Sequence, residues 1–312
     1  MTRENLIVIL GPSAVGKAQL AIDLARQLAT GIISGDSMLV YRGFDIGAAK
    51  PSLAERQGIP HELIDILEPT ARFSVTDFQE LAAAAIHRSN AAGHIPVLAG
   101  GTGLYVKSLL EGYCFNETPG DPAYRAELER LAAEKGKDFV HAMLAAVEPA
   151  VAARLHVNDF RRVIRALEVH HLGGEHISEE REAAGELVYD ACVIGLRRER
   201  VQLYARINAR VEQMFATGLV QEVQGLLAAG VPRSAQAMQG IGYKETAAFL
   251  AGEMSQAEAV AQIQKSTRHF AKRQLTWYRK MPYIHWYDVD QMSDAALLSN
   301  VSADIAGYFA KE

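Results

Sequence analysis

Three observations predict an α/β fold, a parallel sheet flanked by helices with a helical insertion. Short apolar runs alternate with helical periodicity over residues 6–99, a glycine-rich turn joins the first run to the first helix, and residues 115–186 carry helical patterns with no convincing strand among them. Strand–helix alternation is the signature of a parallel sheet, and a strandless block inside it reads as an insertion.

Leu6 to Leu10 is a short apolar run bounded by polar residues and Gly-Pro, as a buried parallel strand requires. Leu20, Leu24 and Leu28 repeat at helical spacing over Lys17–Leu28. Gly31 to Gly35 is a second strand ending at Asp36, Pro60 to Ile66 a third, and Ile95 to Ala99 a fourth, ending in Gly100-Gly101-Thr102. Between the third and fourth, Ser74 opens a helix reaching about Asn90. Its hydroxyl can accept a first-turn amide, and Asp77 favours the positive end of the dipole. In the insertion, Tyr124–Lys135, Lys137–Val147 and Asp159–Leu172 have helical patterns punctuated by Pro119, Pro122, Pro149 and Gly173-Gly174. Val188 to Leu196 returns to a strand. Ser255 and Glu258 have capping-box form and start a helix to about Arg279, and Ile284 to Val289 is a last strand. The expected organisation is an α/β core from residues 1–114 and 187–312, with the helical insertion at 115–186.

Bulk properties exclude several classes. With 312 residues, 49% hydrophobic and 22% charged, the chain can bury a sizeable core. A net charge of −5 announces no general polyanion binder, so any basic surface is local. Cys114 and Cys192 are the only cysteines and have no metal-ligand spacing, which fits a reducing cytosol. The N-terminus lacks the regions of a signal peptide, and no long apolar stretch predicts a membrane span. His156, His170, His171 and His176 sit in the insertion at no metal spacing and read as surface or cap residues.

Gly11-Pro12-Ser13-Ala14-Val15-Gly16-Lys17 follows a strand and opens a helix, the context a phosphate loop needs. Glycines let the backbone wrap an anion, amides at the helix start point at it, and Lys17 adds a full charge. The class is therefore P-loop NTPase-like. Where the motif wants Ser or Thr for a metal ion, the chain has Ala18. The motif says that a polyphosphate sits here; a nucleotide kinase or ATPase stays open on this ground alone. Asp36 lies at the carboxyl end of the second strand, the edge where open α/β sheets bind ligands, although an isolated Asp there is as readily a turn or cap.

Two local excesses of positive charge stand out. Residues 264–280 contain Lys265, Arg268, Lys272, Arg273, Arg279 and Lys280, interleaved with His269, Phe270, Trp277 and Tyr278, and no acid. Phosphate contact explains such a run, and so does a solvated helix face. Arg161, Arg162 and Arg165 form a second cluster, spaced to share one side of a helix. Arg206 and Arg210, four apart, share a helix face too.

The blocks GPSAVGK, ISGDSMLVYRGFDIGAAKP, IPHELIDILEP, FSVTDFQ, IPVLAGGTGLYVKSLLEG, HVNDFRRVIRALEV, RINARVEQM, MQGIGYKE and FAKRQLTWYRK together resemble the tRNA dimethylallyltransferase (tRNA isopentenyltransferase) family, in order and over nearly the whole chain. The resemblance implies a cytoplasmic, monomeric enzyme that uses Mg²⁺. It would move the allyl group of dimethylallyl diphosphate to N6 of adenosine 37, just 3′ of the anticodon, in tRNAs reading codons that begin with U. It implies Asp36 as general base with Thr102 and Arg210 in the active site, and Gly11, Pro12, Ser13, Ala14, Val15, Gly16, Lys17 and Ala18 around the diphosphate. The anticodon stem-loop would meet Asp36, Ser37, Met38, Leu39, Arg125, Phe160, Arg161, Arg162, Val163, Ile164, Gln239, Gly240, Ile241, Gly242, Tyr243, Lys244, Lys272 and Arg273, with the insertion closing on the anticodon arm. Metal contacts would fall to Ser13 and Asp36. Ala18, Val15 and Ala48 depart from the family pattern. A small-molecule kinase and a tRNA-binding module without turnover are the other readings.

Overall fold

The computed structural model describes residues 3–115, 118–174 and 186–310. Two compact units emerge, one of residues 1–111 and 186–312, the other of 112–185. His176 and the Gly174–Leu187 connection between helix and strand fall largely outside the described residues.

In chain order the first unit runs β1 (Asn5–Leu10), α1 (Lys17–Gln27), β2 (Ile32–Ser34), α2 (Leu53–Arg56), β3 (His61–Glu62), α3 (Val75–Ala91), β4 (Val97–Gly100) and α4 (Gly103–Leu110). The second unit holds α5 (Pro122–Lys135), α6 (Lys137–Val147), α7 (Pro149–Arg154) and α8 (Phe160–His171). The first unit then resumes with β5 (Asp190–Arg197), α9 (Arg200–Ala216), α10 (Leu219–Ala228), α11 (Tyr243–Leu250), α12 (Gln256–Tyr278), β6 (His285–Asp288) and α13 (Asp294–Phe309).

The six strands form one parallel sheet in the order β3-β2-β4-β1-β5-β6. The central strand β1 shows why its run is apolar throughout. Leu6, Val8 and Leu10 enter the core on one face of the sheet with Phe78 and Ile86 of α3, while Ile7 and Ile9 enter the other with Leu20 and Leu24 of α1. A strand covered on both sides has no polar face. The predicted caps form: Ser74 with Asp77 and Ser255 with Glu258 each close a reciprocal capping box.

The predicted third strand is cut short. Only His61 and Glu62 pair with β2, because Leu63 and Asp65 adopt left-handed backbone, φ 61° and 57°, which turns the chain out of the ladder. Asp65 there receives Lys50 and Arg56 as ion pairs. The second unit has its own core of Leu128, Val140, Leu144, Val163, Ile164 and Leu167. Among the described residues no helix is long and apolar enough to cross a membrane.

Candidate active site

Three adjacent strands, β1, β4 and β2, end side by side, and the loops that leave them carry the candidate residues. Gly11 packs so closely under β5 that a Cβ would lie 2.8 Å from the Leu196 carbonyl oxygen. Buried Val15 anchors the far side of the loop. Gly16 takes φ 119° as the cap of α1, a conformation that leaves the first helical amides open to an anion. The Lys17 Nζ donates to the carbonyl oxygens of Gly11 at 2.8 Å and Pro12 at 2.9 Å, folding back over the loop. Burial, aided by Arg210, brings the Lys17 ammonium down from its ordinary value to about 8, against the pull of Asp36. Ala18 is exposed and carries no hydroxyl.

Asp36 and Thr102 are brought together by backbone. A Cβ on Gly100 would sit 2.3 Å from the Gly35 carbonyl oxygen, so these chains touch only because residue 100 is glycine. The next residues follow from that contact. The Gly35 carbonyl accepts the Thr102 N–H at 3.2 Å, and Ser37 N–H donates to Thr102 Oγ1 at 3.1 Å. Thr102 precedes α4 yet does not cap it; its hydroxyl is turned to Ser37 instead. Met38 N–H donates to Asp36 Oδ1 at 2.8 Å, fixing the carboxylate, while Oδ2 lies 3.8 Å from where a Gly101 Cβ would be.

Arg210 lies on α9 between the buried Ile207 and Val211; the residue as a whole is exposed, while its guanidinium end is crowded by protein. Surrounding protein lowers its guanidinium from its ordinary range, Asp36 raises it, and Arg206 lowers it further. Lys17, Asp36 and Arg210 therefore share one electrostatic environment. Arg206, one turn earlier, is spent on the phosphate loop: its Nε donates to the Ala14 carbonyl oxygen at 3.0 Å.

The segment after Asp36 is held from below by Glu222, which sequence reasoning passed over, and by Tyr243, which it assigned to the RNA. Glu222 of α10 accepts the N–H groups of Asp45 at 3.2 Å, Ile46 at 2.7 Å and Gly47 at 3.1 Å, and the Tyr243 hydroxyl at 2.7 Å. Nothing local to residue 222 signals partners about 180 residues away. Tyr243 has its side chain in the core against Phe44, and its hydroxyl accepts the Ala48 N–H at 3.0 Å. The Gln239–Lys244 stretch thus divides: Gln239 and Lys244 are exposed, Gly240 and Ile241 are half-buried, and Gly242 and Tyr243 are buried. Met38 packs on Gly240, where a Cβ would lie 2.8 Å from its methyl carbon.

The second overlooked group is on α12. Lys272 and Arg273 are exposed as the basic run predicts, but Gln274 and Tyr278 between and beyond them face inward. Gln274 Oε1 accepts Ser13 N–H at 3.0 Å, and its Nε2 donates to the Gly101 carbonyl oxygen at 2.6 Å. The Tyr278 hydroxyl donates to the same carbonyl at 3.0 Å.

In the second unit the cationic cluster separates. Arg161 and Arg162 are exposed. Arg165 instead turns to the carbonyl oxygens of Thr118 and Pro119 and to Glu168, which also takes Arg125 and the Asp121 N–H. Phe160 is half-buried, with Lys137 over its ring. Val163 and Ile164, like Tyr243, have core side chains, so a ligand at these positions would be met by backbone.

A parallel sheet with a lysine-bearing phosphate loop leaving β1, and a hydroxyl and a carboxylate at the ends of the next two strands on one side, β4 and β2, defines a P-loop-type α/β protein built to act on a phosphate ester. The family model described as IPP transferase matches residues 39–281, and the chain belongs to that family. It is similar to a tRNA dimethylallyltransferase of Geobacillus thermodenitrificans, 47% identical over 97% of both chains, and to one of Bacillus cytotoxicus, 48% identical over 92% of this chain and 91% of the relative. Among solved structures it is similar to the tRNA isopentenylpyrophosphate transferase of Bacillus halodurans, with TM-score 0.75, 40% identity and coverage of 99% and 98% of the two chains. It is also similar to a eukaryotic dimethylallyltransferase acting on tRNA, with TM-score 0.78, 26% identity and coverage of 97% of this chain and 77% of that one.

Proposed function

We propose that this chain transfers the dimethylallyl group of dimethylallyl diphosphate to N6 of adenosine 37 in tRNAs reading codons that begin with U, releasing diphosphate, with Asp36 as general base. The observation that carries the reading is the placement of Asp36 and Thr102 beside a phosphate loop whose lysine feels the Asp36 charge.

An exocyclic adenine amine is a weak nucleophile because its lone pair is shared with the ring. In the proposed step the N6–C1 bond forms as the C1–O bond breaks. The N6 proton goes to the Asp36 carboxylate, and the bonding electron pair leaves on the diphosphate. Base assistance of this kind contributes about 10²- to 10⁴-fold. The Met38 N–H fixes one carboxylate oxygen and leaves the other for the amine. Negative charge grows on the diphosphate, where Lys17, the amides of Gly16 to Ala18 and Arg210 would stabilise it as it develops. Thr102, held by Ser37, lines the same site.

Mg²⁺ is bound by one or two carboxylates together with substrate phosphates and water. The half-buried Ser13 in the phosphate loop and the Asp36 carboxylate are oxygen donors of the kind that habit calls for. The Ser13 hydroxyl and the diphosphate oxygens would hold the ion, with Asp36 contributing its charge, and bound Mg²⁺ would neutralise the leaving group. For the RNA, the exposed Lys272, Arg273, Arg161, Arg162, Gln239 and Lys244 supply charge and hydrogen bonds, while Met38, Leu39 and the buried positions shape the surface. Arg125, tied to Glu168, would meet RNA only through the part of its guanidinium that faces solvent. A single-stranded anticodon loop can splay an adenine at small cost.

The test is incubation with dimethylallyl diphosphate, Mg²⁺ and unmodified tRNA, followed by mass spectrometry of the nucleosides. A dimethylallyl mass gain on adenosine 37 is expected. Unmodified adenosine with stoichiometric tRNA binding, or ATP consumption in place of prenyl transfer, would overturn the reading.

A further inference from the structure

The ladder between β1 and β4 stops at Leu10 and Gly100. Beyond it the two chains part, one becoming the phosphate loop and the other the turn that leads to Thr102. Their next residues, Gly11 and Gly101, have carbonyl groups that no strand partner serves. Tyr278, fully buried on α12, places its hydroxyl 3.0 Å from the Gly101 oxygen and 3.5 Å from the Gly11 oxygen. Gln274, one turn earlier and 4% exposed, uses both ends of its carboxamide across the same gap. It takes the Ser13 N–H and gives an N–H to the Gly101 carbonyl. Only one orientation of the amide satisfies both partners.

This bridge joins the two halves of the site. From Gly101 the chain passes to Thr102, then by hydrogen bond to Ser37, next to Asp36. From Ser13 it passes along the loop to Lys17. A Cβ added at Gly101 would fall 2.7 Å from Gln274 Nε2 and 3.8 Å from Asp36 Oδ2, so the bridge lies directly behind the carboxylate. A buried amide is costly unless both its ends are bonded. An apolar residue would fill the same volume, yet it would leave the Ser13 N–H and lose one of two bonds to the Gly101 carbonyl.

We infer that Gln274 is a positioning residue for the proposed transfer: its side chain sets the separation between the phosphate loop and the Asp36–Thr102 pair. This rests on the function proposed above. Misplacing reacting groups by about 1 Å costs about 10²-fold in rate.

Gln274→Met keeps length and volume and removes both hydrogen bonds. The full-length variant is expected to lose about 10²-fold in kcat at saturating tRNA and dimethylallyl diphosphate. Its tRNA Kd is expected to match wild type, and its melting temperature to lie well above the assay temperature. A variant with wild-type kcat, or one whose loss is confined to the tRNA Kd, would overturn the inference. Should the Met variant fail to fold, Tyr278→Phe, which removes one hydroxyl from the same pair of carbonyls, carries the test; a kcat equal to wild type would then count against the bridge. A third measurement needs no transfer: inorganic diphosphate binding by calorimetry, expected to be weaker in Gln274→Met. If wild type bound diphosphate more tightly than the variant but made no product, the bridge would stand and the proposed reaction would fall.

Discussion

Two clusters of charge in this molecule are built in opposite ways. In the helical unit, Glu168 has a fully buried carboxylate and every part of it is answered, by Arg125 at 2.7 Å, Arg165 at 3.0 Å and the Asp121 N–H at 2.7 Å. Burial pushes its pKa up, but the hydrogen bonds from Arg165, Arg125 and Asp121 outweigh burial and hold it below its ordinary value. In the α/β unit, Lys17, Asp36 and Arg210 influence one another without any ion pair among them within 4.0 Å. Their contacts go to backbone instead, to Gly11 and Pro12 for Lys17 and to Met38 for Asp36. The first cluster is a finished structural joint. The second keeps its charges apart and available, as a site that must take in a polyanion and a base requires.

Substitutions should separate the two kinds. The largest effect is expected from Asp36→Asn, which preserves the acceptor for Met38 N–H and removes the proposed base. Turnover should fall by about 10²- to 10⁴-fold in single-turnover assays, with tRNA affinity retained. Near-normal turnover would make Asp36 as structural as Glu168 and erase the contrast.

Next is Glu168→Gln, expected to cost about 2–3 kcal/mol in denaturant unfolding, because two arginines lose a charged acceptor. The folded pKa is depressed, so the stabilisation is present above the ordinary carboxylate range and is lost as pH falls through the folded value. The gap between wild type and variant should therefore close in acid. A gap independent of pH would mean that packing, not charge, is lost.

A smaller effect concerns Lys17. Its pKa near 8 means that the free protein loses this charge as pH rises through that value. The advantage of wild type over Lys17→Met in binding inorganic diphosphate should be full below pH 8 and shrink by about tenfold per unit above it. The smallest change is expected from Ala18→Thr, which restores a hydroxyl at the start of α1 and should lower the Mg²⁺ needed for half-maximal rate by a few-fold. An unchanged Mg²⁺ titration would remove that hydroxyl from the account.

The contrast between the clusters also marks what could be read from the chain in advance. The phosphate loop, the capping boxes at Ser74 and Ser255 and the strand-end place of Asp36 were legible because each depends on residues within a turn of one another. Thr102 and Arg210 came from resemblance, since a Thr after two glycines and an Arg on a helix carry little signal alone. Glu222 and Gln274 escaped notice, and Tyr278 was read only as an aromatic within a basic run, because their partners lie about 170–270 residues away. A glutamine inside a basic run looks like one more solvated side chain. Val163, Ile164 and Tyr243 show the reverse case: a motif names them for RNA, while their side chains are spent in the core and leave backbone for any such contact. Arg165 had the spacing to join Arg161 and Arg162, yet the buried Glu168 drew it to the other side.

The contact between Gly35 and Gly100 bears on how this enzyme could be re-engineered. Asp36 and its threonine neighbour owe their spacing to two main chains pressed together, with no side chain available to trim or enlarge. A mutant library randomised at Gly100 would yield misfolded clones rather than altered prenyl-donor preference. Useful diversity should be sought at Met38 and Leu39, where the wall is made of flexible atoms and the scaffold beneath is left untouched.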